Sequence, residues 1–281
     1  MSFYEEVTMA RKRLTEAFPW LLPLRQYQRK LFFYTGMRLS RNIYTRTQQK
    51  KQLPYEIFKS RAMMINTHSG YDIQYQYNKV HNLKLAAAKV DGIVIKPGEC
   101  FSLCYAIKDA DKDEPYLEGL SLSNGKTTGE YGGGLCQLSN LLYWVFLHTP
   151  LTVTERHGHG TESIPPADPN ELAGIDATIA EGWLDLKVKN DTCHAFQISV
   201  TFEGDDIIGA VRSESEKCYD YKVYNTSCDY IRKGGVLYQE ADVARKKRSC
   251  FTGCESEEIL YHNHCVIGYP LPQHIEIKEG V

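Results

Sequence analysis

With 281 residues, 42% of them hydrophobic, the chain is long enough for one large domain or two small ones around a substantial core. Its 33 Lys and Arg nearly cancel its 35 Asp and Glu, which excludes nucleic-acid recognition as the main task and predicts no membrane partner from net charge alone. Nine cysteines, odd in number and unevenly spaced, exclude a simple disulfide framework.

The opening residues MSFYEEVTMARKRL lack the apolar stretch and small-residue cleavage site of a secretory signal. The longest apolar run, around Leu141 to Leu147, falls far short of the ~20 residues that span a bilayer. The expectation is a soluble, cytoplasmic chain whose cysteines are core residues, metal ligands or reactive thiols. Residues 1–66 read as a basic helical region. Ser2 and Glu5 have capping-box spacing, Pro19 ends a first helix, and Pro23 starts a second that runs through LRQYQRKLFFYTG to Gly36. The first fifty-one residues carry Arg11, Lys12, Arg13, Arg25, Arg29, Lys30, Arg38, Arg41, Arg46, Lys50 and Lys51 against Glu5, Glu6 and Glu16. These cations are either solvated helix faces or a contact for a phosphate-rich partner or anionic lipid.

Residues 67–203 read as the core. NKVHNLKLAAAKVD, residues 78–91, has an N-cap asparagine and apolar positions Val80, Leu83, Ala87 and Val90 at helical spacing. Gly92 stops it, Ile93 to Ile95 forms a short strand, and Lys96-Pro97-Gly98-Glu99 is a turn. Residues 105–130 are loop-like, and a helix from about Leu135 to His148 follows, with Leu138, Leu142, Val145 and Phe146 as its buried stripe and Pro150 at its end. From Leu151 the period becomes 2: LTVTERHGH, GIDATI, WLDLKVKN and AFQISVTF alternate, with hairpin punctuation at Glu181-Gly182 and Glu203-Gly204-Asp205-Asp206. This pattern predicts an α+β fold in which a Cys-bearing helix packs on an antiparallel sheet. Residues 204–281, rich in tyrosine and carrying Cys218, Cys228, Cys250, Cys254 and Cys265, read as a short-stranded β extension packed on that core.

Gly132-Gly133-Gly134-Leu135-Cys136 runs a glycine loop into a helix start. The free N–H groups and dipole there lower a thiol pKa, and the glycines could admit a substrate backbone and hold an oxyanion. The alternative is a small buried cysteine beside a tight turn. A phosphate loop is disfavoured, because no Gly-Lys-Ser/Thr follows. If the strand LTVTERHGH persists, His157 and His159 share a face with Val153 and Glu155. They would then be a base plus a polar contact, two metal ligands, or two hydrogen-bonded histidines near a strand end. Asp176 and Asp185, each flanked by core-facing residues, could orient an imidazole or simply face solvent. Cys250 and Cys254 with His262, His264 and Cys265 offer soft and imidazole ligands, but their spacing matches no standard finger and no metal or cofactor is assigned. Cys100 and Cys104 look structural, while Cys193, Cys218 and Cys228 carry no recognisable spacing.

The chain order Cys, His, Asp is shared, as a fold-level analogy, with papain-like, transglutaminase-like and NlpC/P60-like thiol enzymes. The stretches NLKLAAAKVDGIVIKPGECFSL, GEYGGGLCQLSNLLYW, VTERHGHG and GIDATIAEGWLDLKVKN, in order over about residues 76–202, resemble the VanW family of glycopeptide-resistance accessory proteins. The resemblance implies a link to peptidoglycan metabolism or vancomycin resistance. It also marks Gly132, Gly133, Gly134, Cys136, Gln137, Ser139, Tyr143, Arg156, His157, His159 and Asp176 as motif residues, with Cys100 and Asn140 as mild departures. The expectation is a cysteine hydrolase or acyl transferase acting on a peptide or amide of a cell-wall precursor. Cys136 is its nucleophile, His157 its base with His159 as substitute, and Asp176 the orienter. Gln137 and the glycine N–H groups are its oxyanion donors, and Ser139, Tyr143 and Arg156 belong to the substrate surface. Two other readings stay open: an accessory binding protein whose glycine loop is a ligand surface, and a metal protein using His157, His159 and Cys136.

Overall fold

The computed structural model describes residues 18–123, 126–166 and 171–280; the expected first helix, with Ser2 and Glu5, lies outside them. A 3-10 turn, Pro19–Leu21, leads into helix α1, Leu22–Leu39. Pro23 sits in its first turn, where a missing N–H costs no hydrogen bond. Met37 is the one buried residue on this helix, which ends when the Ser40 N–H bonds to the Gly36 carbonyl.

The helical expectation for residues up to 66 stops there. Ile43–Tyr44 forms strand β1 and Tyr55–Met63 forms β2. Along β2 the period is 2, with Phe58, Ser60 and Ala62 half-buried while Lys59, Arg61 and Met63 face solvent. Helix α2, Gln74–Val90, starts four residues before the expected cap. Asp72 Oδ1 accepts from the Gln74 N–H at 2.9 Å, whereas Asn78 lies inside the helix and donates to the Glu118 carbonyl at 2.8 Å.

Strand β3 (Val94–Ile95) follows as expected, then β4 (Glu99–Ser102), which is not among the expected strands, and a one-turn helix α3 (Leu103–Ile107) capped by Ser102. Instead of a loop up to residue 130, β5 (Glu118–Ser123) and β6 (Lys126–Tyr131) form an antiparallel hairpin. Their Gly and Ser residues carry little strand propensity, so the backbone ladder and the packing against α2 decide much of this segment.

Helix α4, Cys136–Leu147, is apolar nearly all round, as a central helix must be. It packs on the all-antiparallel sheet β2-β11-β10-β3, whose hairpin is β10 (Phe196–Glu203) and β11 (Asp206–Ser213). Gly209 of β11 permits the approach, since a Cβ there would sit 3.0 Å from Leu141. Leu138, Leu142, Val145 and Phe146 are completely buried. Leu142→Ala is expected to cost about 2–5 kcal/mol, through lost transfer energy plus the cavity left behind, read as a drop in the urea midpoint.

A second sheet, β1-β4-β9-β7, holds β7 (Thr152–Glu155) and β9 (Lys187–Lys189), with β1 and β4 parallel. The third contains three strands of 13 to 15 residues, β12 (Tyr219–Lys233), β13 (Val236–Ser249) and β14 (Glu255–Ile267). Short β15 (Ile277–Glu279) and β8 (Thr161–Glu162) pair parallel at its edges. These strands are long where the sequence suggested short ones. Val223 and Val243 join the same buried cluster as α4. The architecture is α+β, with the Cys-bearing helix on an antiparallel sheet.

Candidate functional site

The glycine triplet is a place of close packing. A Cβ on Gly133 would lie 2.1 Å from the Gly119 carbonyl oxygen of the neighbouring hairpin, and Gly134 has φ +91° with the Lys79 stem where a Cβ would be. Asn82, fully buried on α2, clamps the same loop. Its amide donates to the carbonyls of Leu117 (2.9 Å) and Gly133 (3.0 Å) and accepts from the Leu117 N–H (2.8 Å). The Gly132 and Gly133 N–H groups bond to the Leu117 and Glu130 carbonyls, and the Gln137 N–H bonds to Gly134. The Gly132 and Gly133 N–H groups are therefore engaged, which takes these two out of the expected oxyanion role. Among the described residues the Cys136 N–H, at the first position of α4, has no backbone acceptor, as helix geometry dictates.

Cys136, Ser139, Asn140 and Tyr143 stand at i, i+3, i+4 and i+7, so they share one face of α4. Two irregular segments hang on that face. The Ala177 N–H donates to Asn140 Oδ1 at 2.7 Å, and the Ser139 hydroxyl sits between the carbonyls of Cys136 and Ala177. Tyr143 is covered by the Arg156 guanidinium, which lies 5.5 Å from its ring and 4.4 Å from that of Tyr261. Arg156 donates to the carbonyls of Asp176 and Gly174, and the Tyr261 hydroxyl also donates to Gly174 at 2.9 Å. Ser139 and Tyr143 are buried, so both, with Arg156, support the site from behind instead of forming a substrate surface.

What this scaffold brings together is Cys136, His159 and Asp176. The half-buried Cys136 sulfur is 3.4 Å from Thr178 Oγ1 and lies close enough to the His159 imidazole for each to shift the other's protonation. His159 Nδ1 is 2.8 Å from Asp176 Oδ2, which leaves Nε2 for the thiol, and the His159 N–H donates to the same carboxylate oxygen. Burial pushes the Cys136 thiol up, but the His159 hydrogen bond and charge, aided by Thr178 and the Ile179 N–H, bring it below the ordinary value. Burial also works against a charged His159; Asp176 and Cys136 overcome it and push the imidazole up to about 10. Asp176 is held below the usual carboxylate range, its burial outweighed by His159 and Arg156. All three shifts favour a thiolate–imidazolium pair oriented by a carboxylate.

His157 is elsewhere, which corrects its expected position across from Cys136. Its Nε2 lies 3.1 Å from Glu155 Oε1, and Glu155 also takes Lys187 Nζ at 2.7 Å. The reason is local: β7 ends at Glu155 after a register shift, residues 156–160 form no ladder, and the alternation that would align the two histidines is lost. Residues 175–179 are irregular as well, so Asp176 does not lie on a strand. With His157 held by Glu155, it is not gathered with His159 and Cys136 as a ligand set. Asp185 is fully buried and accepts from Ser102 and from the Cys104 and Leu186 N–H groups, a structural role.

Gln137 Nε2 donates to the Met63 carbonyl at 2.6 Å, which displaces it from an oxyanion role, and its Oε1 is buried without a hydrogen-bond partner. Cys250 and Cys254 flank the exposed turn between β13 and β14; His262 and His264 point to Asp242 and Glu240; Cys265 is buried. Among the described residues no group of three or more His, Cys, Asp or Glu side chains is placed to hold a metal ion.

Comparison with known proteins covers this whole constellation. A family model described as VanW like protein matches residues 78–212, from Asn78 past Asp176. The chain is 48% identical over 273 residues, 97% of its length and 99% of the relative's, to the "Vancomycin B-type resistance protein VanW" of Enterococcus faecalis. It is 29% identical over 113 residues, 40% of its length and 36% of the relative's, to the "Uncharacterized protein YoaR" of Bacillus subtilis. No solved structure matches it.

Proposed function

The chain belongs to the VanW family, and on that premise we propose that it is a thiol-dependent hydrolase or acyl transferase that cleaves or exchanges an amide of a cell-wall precursor and so supports vancomycin resistance. The observation that carries the reading is the Cys136–His159–Asp176 constellation, with the thiol lowered and the imidazole raised. The Cys136 thiolate attacks the amide carbonyl carbon, and the oxyanion that forms is met by the Cys136 N–H at the positive end of α4. The His159 imidazolium gives its proton to the leaving amine as the C–N bond breaks, leaving an acyl thioester on Cys136. Neutral His159 then takes a proton from water or an acceptor amine, which attacks the thioester carbonyl, and the C–S bond breaks to return the Cys136 thiolate beside the imidazolium. Asp176 keeps the imidazole in the productive tautomer throughout.

The test uses cells whose vancomycin resistance depends on this chain. Cys136→Ala and His159→Ala variants that keep the wild-type melting temperature are expected to lose the resistance increment, and intact-mass spectrometry of the wild type incubated with precursor is expected to show an acyl adduct on Cys136. Full resistance from folded Cys136→Ala would overturn the enzymatic reading in favour of a non-catalytic accessory protein.

A further inference from the structure

From Phe18 to Lys51 the chain has eight basic residues, Arg25, Arg29, Lys30, Arg38, Arg41, Arg46, Lys50 and Lys51, and no Asp or Glu. The same stretch carries large apolar side chains that no other described residue covers. Trp20 stands in the 3-10 turn just before α1, and Leu24, Tyr27 and Leu31 follow at intervals of 3 and 4 residues as one stripe along the start of α1. They are 74%, 65%, 66% and 52% exposed, and Phe32 and Leu39 are exposed beside them. Another side of α1 holds the helix to the body of the protein. Tyr34 and Lys30 both bond to Glu181, Arg29 stacks on Trp183 at 4.9 Å, and Phe33 lies under Lys187 at 5.0 Å. The outward stripe is thus the result of a fixed docking that leaves it facing solvent.

We propose that α1 is an interfacial helix that lays this stripe on a bilayer containing anionic phospholipid. The argument for that occupant is the chemistry of the face. Trp and Tyr present an apolar body with a polar tip, which suits the headgroup boundary, and Leu enters the acyl region below it. Among the described residues Arg25, Arg38 and Arg41 form no ion pair, Arg25 donating only to the neutral Gln28 side chain, so three guanidinium groups on this one helix and its exit keep uncompensated charge for lipid phosphates. No helix of the described residues is long and apolar enough to cross a membrane, so the helix lies along the surface. The residue that anchors α1, Glu181, follows shortly after Thr178, which touches the Cys136 sulfur.

Flotation of the full chain with vesicles of neutral phosphatidylcholine, or with the same vesicles containing 30% phosphatidylglycerol, tests this. The bound fraction is expected to be at least about tenfold greater on the anionic vesicles and to fall as salt rises. Trp20→Ser/Leu24→Ser/Leu31→Ser and, separately, Arg25→Gln/Arg38→Gln/Arg41→Gln are each expected to lose most of it while the melting temperature and Cys136 alkylation rate stay as in the wild type. No flotation on anionic vesicles overturns the proposal. Two other occupants have their own signatures, and each equally overturns it. A mass in solution that halves in the apolar triple variant assigns the stripe to a second copy; a fall in melting temperature with no vesicle binding assigns it to residues 1–17 of the same chain. None of these outcomes bears on the thiol chemistry, which is read from Cys136 itself.

Discussion

With alanine in place of His159, alkylation of Cys136 by iodoacetamide at pH 7 slows by about tenfold or more, and the midpoint of its pH profile moves above that of an ordinary thiol. The sign follows from two opposed effects. Burial alone raises the thiol, and the His159 hydrogen bond and charge are the largest of the contributions that bring it down. Removing the imidazole leaves burial opposed only by Thr178 and the Ile179 N–H. Well below its midpoint, the thiolate fraction falls about tenfold for each unit the midpoint rises. His157→Ala is expected to leave the profile in place, because its ring is bonded to Glu155. Asp176→Asn should move the midpoint upward in the same sense, since Asp176 is what raises His159. Peptide mapping of the label at Cys136 separates it from the other eight cysteines. A profile that responds to His157 and ignores His159 would sink the assignment.

Gly133→Ala is expected to destabilise the fold by about 3 kcal/mol or more, lowering the melting temperature by roughly 6–12 °C. The single added methyl would sit 2.1 Å from the Gly119 carbonyl oxygen and 2.3 Å from its carbon, so two backbones would have to part. No flexible side chain is there to give way. Gly160→Ala is the control: its Cβ meets nothing within 4 Å, and its effect should stay within about 0.5 kcal/mol. Parting the two backbones also strains the Asn82 bond to the Gly133 carbonyl, which fixes the loop that delivers Cys136. The Cys136 alkylation profile should therefore broaden in Gly133→Ala and stay sharp in Gly160→Ala. Equal melting temperatures for the two variants would show that the triplet is a plain flexible joint.

Much of the fold was legible because its strongest signals are local. Leu138, Leu142, Val145 and Phe146, bounded by glycine and by Pro150, announce α4, and Glu203-Gly204-Asp205-Asp206 announces the β10–β11 turn. The candidate constellation was legible in its membership but not in its pairing. Placing His157 and His159 on one face by alternation assumed a strand that outlasts Glu155, and the ladder ends there. The hairpin β5–β6 and the clamp by Asn82 are tertiary facts, since each depends on α2 lying against a segment about 35 residues away. One signal was available and is instructive. Ser139 and Asn140 interrupt an otherwise apolar helix on the same face as Cys136, and a polar face on a buried helix needs partners. Those partners are the carbonyl and N–H of Ala177.

The nucleophile and its partners sit on elements of unequal rigidity. Cys136 belongs to a helix buried in the main core, whereas His159 and Asp176 belong to segments with almost no ladder bonds, held by a few side-chain clamps. Hydrogen exchange is expected to place the two halves in different cooperative units, with α4 opening alongside the whole molecule and residues 156–160 and 174–179 opening at lower free energy. Each such excursion withdraws the imidazole and leaves the sulfur in place. The thiol then reverts to a poorly solvated, unassisted group. On the proposed thiol chemistry, reactivity at Cys136 is expected to lapse whenever the least ordered backbone lets go, before the fold itself is lost.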